Sequence, residues 1–362
     1  MTSTFTPLNQ TTNSKTNEWL ETSQNIQCTK MKRDLYWDTL KFSLMFLVIY
    51  GHVISGCSYG GRFNLAMYNF IYLFHMPLFI FISGRFSQIK NRETYKKNIF
   101  RLLETFIVFQ IISSAILMIH NHEFSYKFFY EPNWILWYLV SLIFWRLIIF
   151  FIPMNWLSYR NRTIIISLSI SLLAGFIPVS YPFALQKTLT YLPFFIVGYF
   201  SNNIDVKSKI SKIPPYIAIG ILIITFSILY FVINKNLSTV THCCSPYWSS
   251  DVAHTLFLLI ARCIFLITAF ILSIMVMRIT YTSKILSKWG GITLFLYIYH
   301  AFALREFLFP LIKTYNFSIN EFSLMIYSIA ITIILIMLSH FKFLSQLLNP
   351  ISSWQQKSKI VK

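Results

Sequence analysis

Apolar runs of about 20 residues, the length a helix needs to cross a hydrocarbon core, recur along this 362-residue chain. They fall at roughly 38–57, 64–84, 99–119, 133–152, 163–180, 184–200, 214–233, 253–277, 289–309 and 320–341. Short polar or basic segments separate them. The chain is 56% hydrophobic and only 12% charged, about half the charged share of a soluble domain. The fold class that follows is all-α, a polytopic integral membrane bundle of about ten transmembrane helices. Pro178, Pro182 and Pro193 make the fifth and sixth runs the weakest, because proline interrupts a helix ladder.

Net charge is +19. Such a balance can mean nucleic acid, but here the cations sit between apolar runs, as cytoplasmic loops require, so no nucleic-acid partner is expected. With the N-terminus inside, the inner segments gather most of the cations. Lys90, Arg92, Lys96 and Lys97 lie in one such loop, and Lys207, Lys209 and Lys212 in another. The outer segments keep Arg62, Lys127, Lys187, Lys235, Arg305 and Lys313. Removing a central span would invert every later loop, so the expected topology has N-terminus and C-terminus cytoplasmic.

Residues 1–27 are polar and lack the apolar stretch of a secretory signal. The expected organisation is a polar, disordered cytoplasmic tail at 1–30, a membrane domain at 31–345, and a basic cytoplasmic tail at 346–362. The first span would act as an uncleaved insertion signal. Five cysteines show no metal or redox spacing, and Cys243-Cys244 is a vicinal pair. No half-to-half repeat is visible.

Ionisable side chains inside spans cost a few kcal/mol each on insertion scales, so they are default site candidates. Here they are Asp38, Lys41, His52, His75, Glu104, Arg146, Arg262, His300, Arg305 and Glu306. His52 closes KFSLMFLVIYGH, about 20 Å from the inner end of the first span and past the midplane. A neutral imidazole there can take a proton from a hydroxyl, or it can simply bond a neighbouring helix. His75, in FHMPLFIFISG, lies near the midplane beside Pro77, which frees a backbone carbonyl and suggests a polar cavity. His300, in LFLYIYHAF, has a similar depth. The three could share one cavity or face three different neighbours. No carboxylate or cysteine stands at ligand spacing beside them, so no metal is expected. The basic loop 85–101 could bind donor phosphates, or serve topology and lipid contact. Trp134 and Trp137 read as membrane-interface anchors rather than sugar platforms.

Arg33, Asp38, Leu40, Lys41 and His52 together resemble the first-helix pattern of the membrane acyltransferases of family 3, with Trp37 in place of the usual Leu and Lys41 in place of the commoner Arg. FHMPLFIFISG at 74–84 is similar to that family's second-helix motif, and within it to the subgroup related to fucose 4-O-acetylases. RLL at 101–103, WILWYLVSLIF, LPFFIVGYF at 192–200 and GGITLFLYIYH at 290–300 follow in the family's order. Arg85 stands where an aromatic usually follows Ser-Gly, and Thr105 where proline usually follows RLL.

The resemblance implies transfer of an acyl group, usually acetyl, from cytoplasmic acyl-CoA (acetyl-CoA) to a hydroxyl of a cell-surface carbohydrate or lipid-linked glycan. Carried over by position, His52 is the catalytic histidine, Lys41 and Asp38 its motif partners, and Arg33, His75, Ser83 and Arg101 substrate-binding residues. His300 joins these by depth. Membrane lipids, acyl-CoA and the glycan are the expected partners, and the plasma membrane the expected location. The competing class is a multi-pass transporter or exporter of a glycan or small anionic substrate, which ten helices with buried polar groups also suit. Single cysteines placed within 88–98 are expected to react with impermeant thiol reagents only from the cytoplasmic side, and labelling of intact cells would overturn the topology.

Overall fold

Hydrocarbon offers no water to backbone amides, so each apolar run closes its hydrogen bonds within a helix. The computed structural model describes residues 34–122, 129–152, 159–177, 182–232, 246–247 and 252–349, and among them there is no strand. The described residues from Tyr36 onward form one compact unit. The helices are α1 Leu35–Gly56, α2 Arg62–Arg85 and α3 Arg92–Asn121. Next come α4 Trp134–Phe151, α5 Arg160–Leu173, α6 Leu185–Phe200 and α7 Pro215–Val232. The last three are α8 Val252–Ile279, α9 Lys284–Tyr315 and α10 Glu321–Leu338.

Eight of these, all but α5 and α6, are long and apolar enough to cross a membrane. The chain is an integral membrane protein. The two weak runs have become helices of 14 and 16 residues, short of the roughly 20 a span needs. Helix α6 continues through Pro193 and is buried along most of its length, including Thr188, Thr190 and Phe195. It is an interior helix rather than a lipid-facing one.

The outer surface is apolar. Ile223, Ile224 and Phe231 of α7 and Phe322 and Ile326 of α10 are well exposed, as expected where lipid rather than water is the solvent. With no hydrophobic driving force between helices, association depends on close packing and interhelical hydrogen bonds. Both are present. A Cβ on Gly84 would overlap the Phe195 carbonyl, and one on Gly198 would overlap the Phe81 carbonyl, so α2 and α6 touch backbone to backbone. Gly290 of α9 lies equally close to the Asp38 backbone. The Tyr36 hydroxyl donates to the Met277 carbonyl at 2.6 Å, and the Trp145 indole to the Thr188 carbonyl at 2.9 Å.

Arg85 and Thr105, the two departures from the family pattern, have local explanations. The Arg85 guanidinium lies 4.7 Å from the centre of the Trp37 ring and donates to the Ser201 and Ile204 carbonyls, covering acceptors left open past the end of α6. Thr105 donates to the Leu348 carbonyl at 2.6 Å. With Tyr299, which donates to the Leu344 carbonyl, it ties the segment after α10 to α3 and α9. Residues 1–33, the Cys243-Cys244 pair and 350–362 lie outside the described residues.

Gly84→Val and Gly198→Val are expected to destabilise the folded protein by at least about 1–3 kcal/mol, since the new methyls meet backbone that cannot rotate away. Melting in detergent followed by size-exclusion chromatography measures this, and an unchanged midpoint would refute the close approach.

Candidate active site

Glycine at 51 has no side chain, and a Cβ there would stand 3.1 Å from Tyr72 Cε2. The gap lets α2 bring Tyr72 against the next residue of α1, His52. The Tyr72 hydroxyl lies 3.5 Å from His52 Nδ1, at the long end for a hydrogen bond. The His52 and Tyr72 rings are 6.3 Å apart, and Tyr72 is 4.7 Å from the His75 ring on its other side. From α9, the His300 ring stands 5.4 Å from the His52 ring at 31°. From the first turn of α4, Trp134 stands 5.1 Å from it at 71°. Four helices thus converge on one imidazole. His52 is half-buried, whereas His75 and His300 are buried.

Hydrogen bonds orient the two buried rings. His75 Nδ1 donates to the Ile71 carbonyl at 2.8 Å, and His300 Nδ1 to the Leu296 carbonyl at 3.1 Å. In each neutral ring the lone pair then sits on Nε2. His300 Nε2 is buried and meets no hydrogen-bond partner among the described residues. An unpaired buried acceptor costs free energy, and such exceptions concentrate where a group has chemical work to do. Just beyond His300, α9 loosens into a π-helical turn at Ala303–Leu308, a feature frequent at functional sites.

The remaining predicted residues lie elsewhere. Lys41 and Asp38 form an ion pair at 2.7 Å near the start of α1, about 16 Å along the helix from His52. Lys41 also lies 5.4 Å from the centre of the Phe86 ring. With Arg85 these residues make a cationic and aromatic cluster at the end that the charge distribution assigns to the cytoplasm. Ser83 lies about 12 Å along α2 from His75. It bonds the Tyr138 hydroxyl at 2.6 Å. Arg101 is exposed on α3. Arg33 lies outside the described residues.

The three histidines therefore lie in one cluster, His300 against His52 and His75 linked to it through Tyr72, one of the two arrangements their depths allowed. Sequence reasoning missed Tyr72, which no pattern marks, and did not foresee that the Trp134 ring, besides being exposed, lies against His52. The Trp134 backbone is left-handed, with φ of 37°, a conformation no sequence pattern announces for tryptophan.

Among the described residues no group of histidine, cysteine and carboxylate side chains is arranged to hold a metal ion. What the cluster offers is a partly accessible imidazole held among aromatic neighbours.

Comparison with curated proteins and with solved structures gives no match. A family model, the acyltransferase domain of acyltransferase family 3, matches residues 34–341, from the first residue of the described chain through α10. The match takes in every helix that builds the site, and the chain belongs to this family of membrane acyltransferases.

Proposed function

We propose that the protein transfers an acyl group, most simply acetyl, from cytoplasmic acyl-CoA to a hydroxyl of a cell-surface carbohydrate or lipid-linked glycan in the plasma membrane. The fucose 4-O-acetylase-like subgroup is the best fit for its FHMPLF motif. The observation that carries the reading is the position of His52, half-buried among Tyr72, Trp134 and His300.

An acceptor alcohol is a poor nucleophile until a base takes its proton in the transition state. The His52 imidazole accepts that proton as the alcohol oxygen attacks the thioester carbonyl. The carbon–sulfur bond then breaks, and the departing CoA sulfur takes the proton back from the imidazolium. The same ring could instead carry the acyl group covalently between donor and acceptor. In either route an N–H on His52 needs an acceptor at the moment of charge; the Tyr72 hydroxyl lies 3.5 Å from Nδ1, and the His300 ring, whose Nε2 meets no partner among the described residues, stands beside it. His75, turned by its bond to Ile71, supports the far side of Tyr72.

Lys41, with Asp38, and Arg85 stand one membrane half away, where CoA phosphates would approach from the cytoplasm. Arg33 and Arg101 would add to that attraction. The pantetheine arm would then run up the bundle toward His52. Transporters also use intramembrane histidines as proton relays, so the weight against transport comes from the acyltransferase family match rather than from the imidazole pair.

His52→Ala is expected to lower O-acetylation of surface glycans by at least about 100-fold, the usual share of a general base, with membrane insertion unchanged. Mass spectrometry of purified glycan measures it, and full acetylation in that variant would remove His52 from the chemistry. His300→Phe is expected to lower glycan acetylation as well while the protein stays folded in detergent. A gene deletion that leaves acetylation intact and accumulates substrate inside the cell would point to export instead.

A further inference from the structure

Trp134 combines features that membrane anchoring does not explain. It is 41% exposed, yet its ring is 5.1 Å from the His52 ring. Its left-handed backbone is disfavoured for a bulky side chain, and such residues persist only where their surroundings fix them. Helix α3 supplies the fixing. The Gln110 side chain accepts from the Asn133 amide at 3.0 Å and donates to the Glu131 carbonyl at 2.9 Å, while Asn133 donates to the Ser114 hydroxyl at 2.7 Å. Gln110 is itself 4% exposed. Three hydrogen bonds thus hold the segment before α4 in the one pose that sets an indole beside the reactive imidazole.

The other side of that indole borders a small cleft. Ser113, Asn133, Trp134, Ala301, Phe302 and Arg305 line it, and its volume of about 10 Å³ suits a single water. A ligand must therefore lie on the exposed indole rather than inside the cleft. Arg305 comes from the π-helical turn that follows His300. Its Nε donates to Glu306 at 2.6 Å, and His120 stands 3.8 Å from the same carboxylate. Because Glu306 offsets the guanidinium charge, this rim offers hydrogen-bond donors and acceptors without strong attraction for a phosphate.

We infer that Trp134 is the acceptor platform, and that the ligand it takes is a neutral pyranose ring. The polarised C–H face of the sugar lies on the negative π face of the indole. The ring hydroxyls reach the Arg305–Glu306 rim, and one hydroxyl at the sugar's edge is presented to His52. This names the acceptor class for the transfer reaction proposed above and rests on it.

The test uses the full chain in lipid nanodiscs with 5-fluorotryptophan in place of its nine tryptophans. The Trp134 fluorine resonance is assigned from the spectrum of Trp134→Phe. The probes are the methyl glycosides of glucose, galactose and mannose, with glycerol and glycerol phosphate as controls. A saturable shift of the Trp134 signal is expected with at least one pyranoside, with a midpoint on the order of millimolar, and the controls should leave the signal in place. The same shift is expected in His52→Ala, which removes the base and keeps the platform. If no pyranoside moves the signal, or if glycerol phosphate moves it equally, the platform is wrong. Retained acyl transfer in His52→Ala would sink the catalytic reading but not the platform, so the two failures are distinguishable.

Discussion

A polar group inside a lipid-embedded bundle has no water to turn to, and that constraint organises this protein. The backbone answers it with helices. The polar side chains answer it by finding partners on neighbouring helices, and those pairings fix how the helices meet. Tyr36 reaches the Met277 carbonyl, Trp145 the Thr188 carbonyl, and Ser83 the Tyr138 hydroxyl. Glycines at 84, 198 and 290 bring other helix pairs together, α2 with α6 and α9 with α1, backbone against backbone. Among the exceptions to pairing in the described residues is His300 Nε2, whose ring lies beside His52.

The structure separates the charged side chains near the start of α1 from the three histidines. Lys41, Asp38 and Arg85 cluster at one end of the bundle, and His52, His75 and His300 meet toward the other. About 16 Å of α1 lies between Lys41 and His52. Within the first-helix pattern, Asp38 and Lys41 pair with each other, whereas the distance along the helix excludes a direct Lys41–His52 pair.

Much of the architecture was legible in residue order. Run length and hydropathy located the longer helices, eight of which are long and apolar enough to span, and the prolines around 178–193 marked the two that turned out short. His52, His75 and His300 stood out as titratable groups in apolar runs, and their similar depths allowed a meeting. Their actual meeting was not legible. Depth along a helix axis follows from counting residues, whereas the direction a side chain faces depends on which neighbour its helix packs against. Tyr72 shows this. It is one of 21 tyrosines, and only the bare Gly51 backbone opposite it brings its hydroxyl to His52.

Chain order by itself determined that this protein is a helical membrane bundle, that its cations gather between apolar runs, and that three histidines sit within such runs. Those features depend on composition within single segments, and hydropathy acts segment by segment. The tertiary structure alone decided that Trp134 lies against a histidine, that Arg85 covers the end of α6, and that His300 Nε2 meets no hydrogen-bond partner among the described residues. Each of these depends on contacts between residues distant in sequence, and on backbone angles imposed by hydrogen bonds from a neighbouring helix. No local pattern encodes such angles.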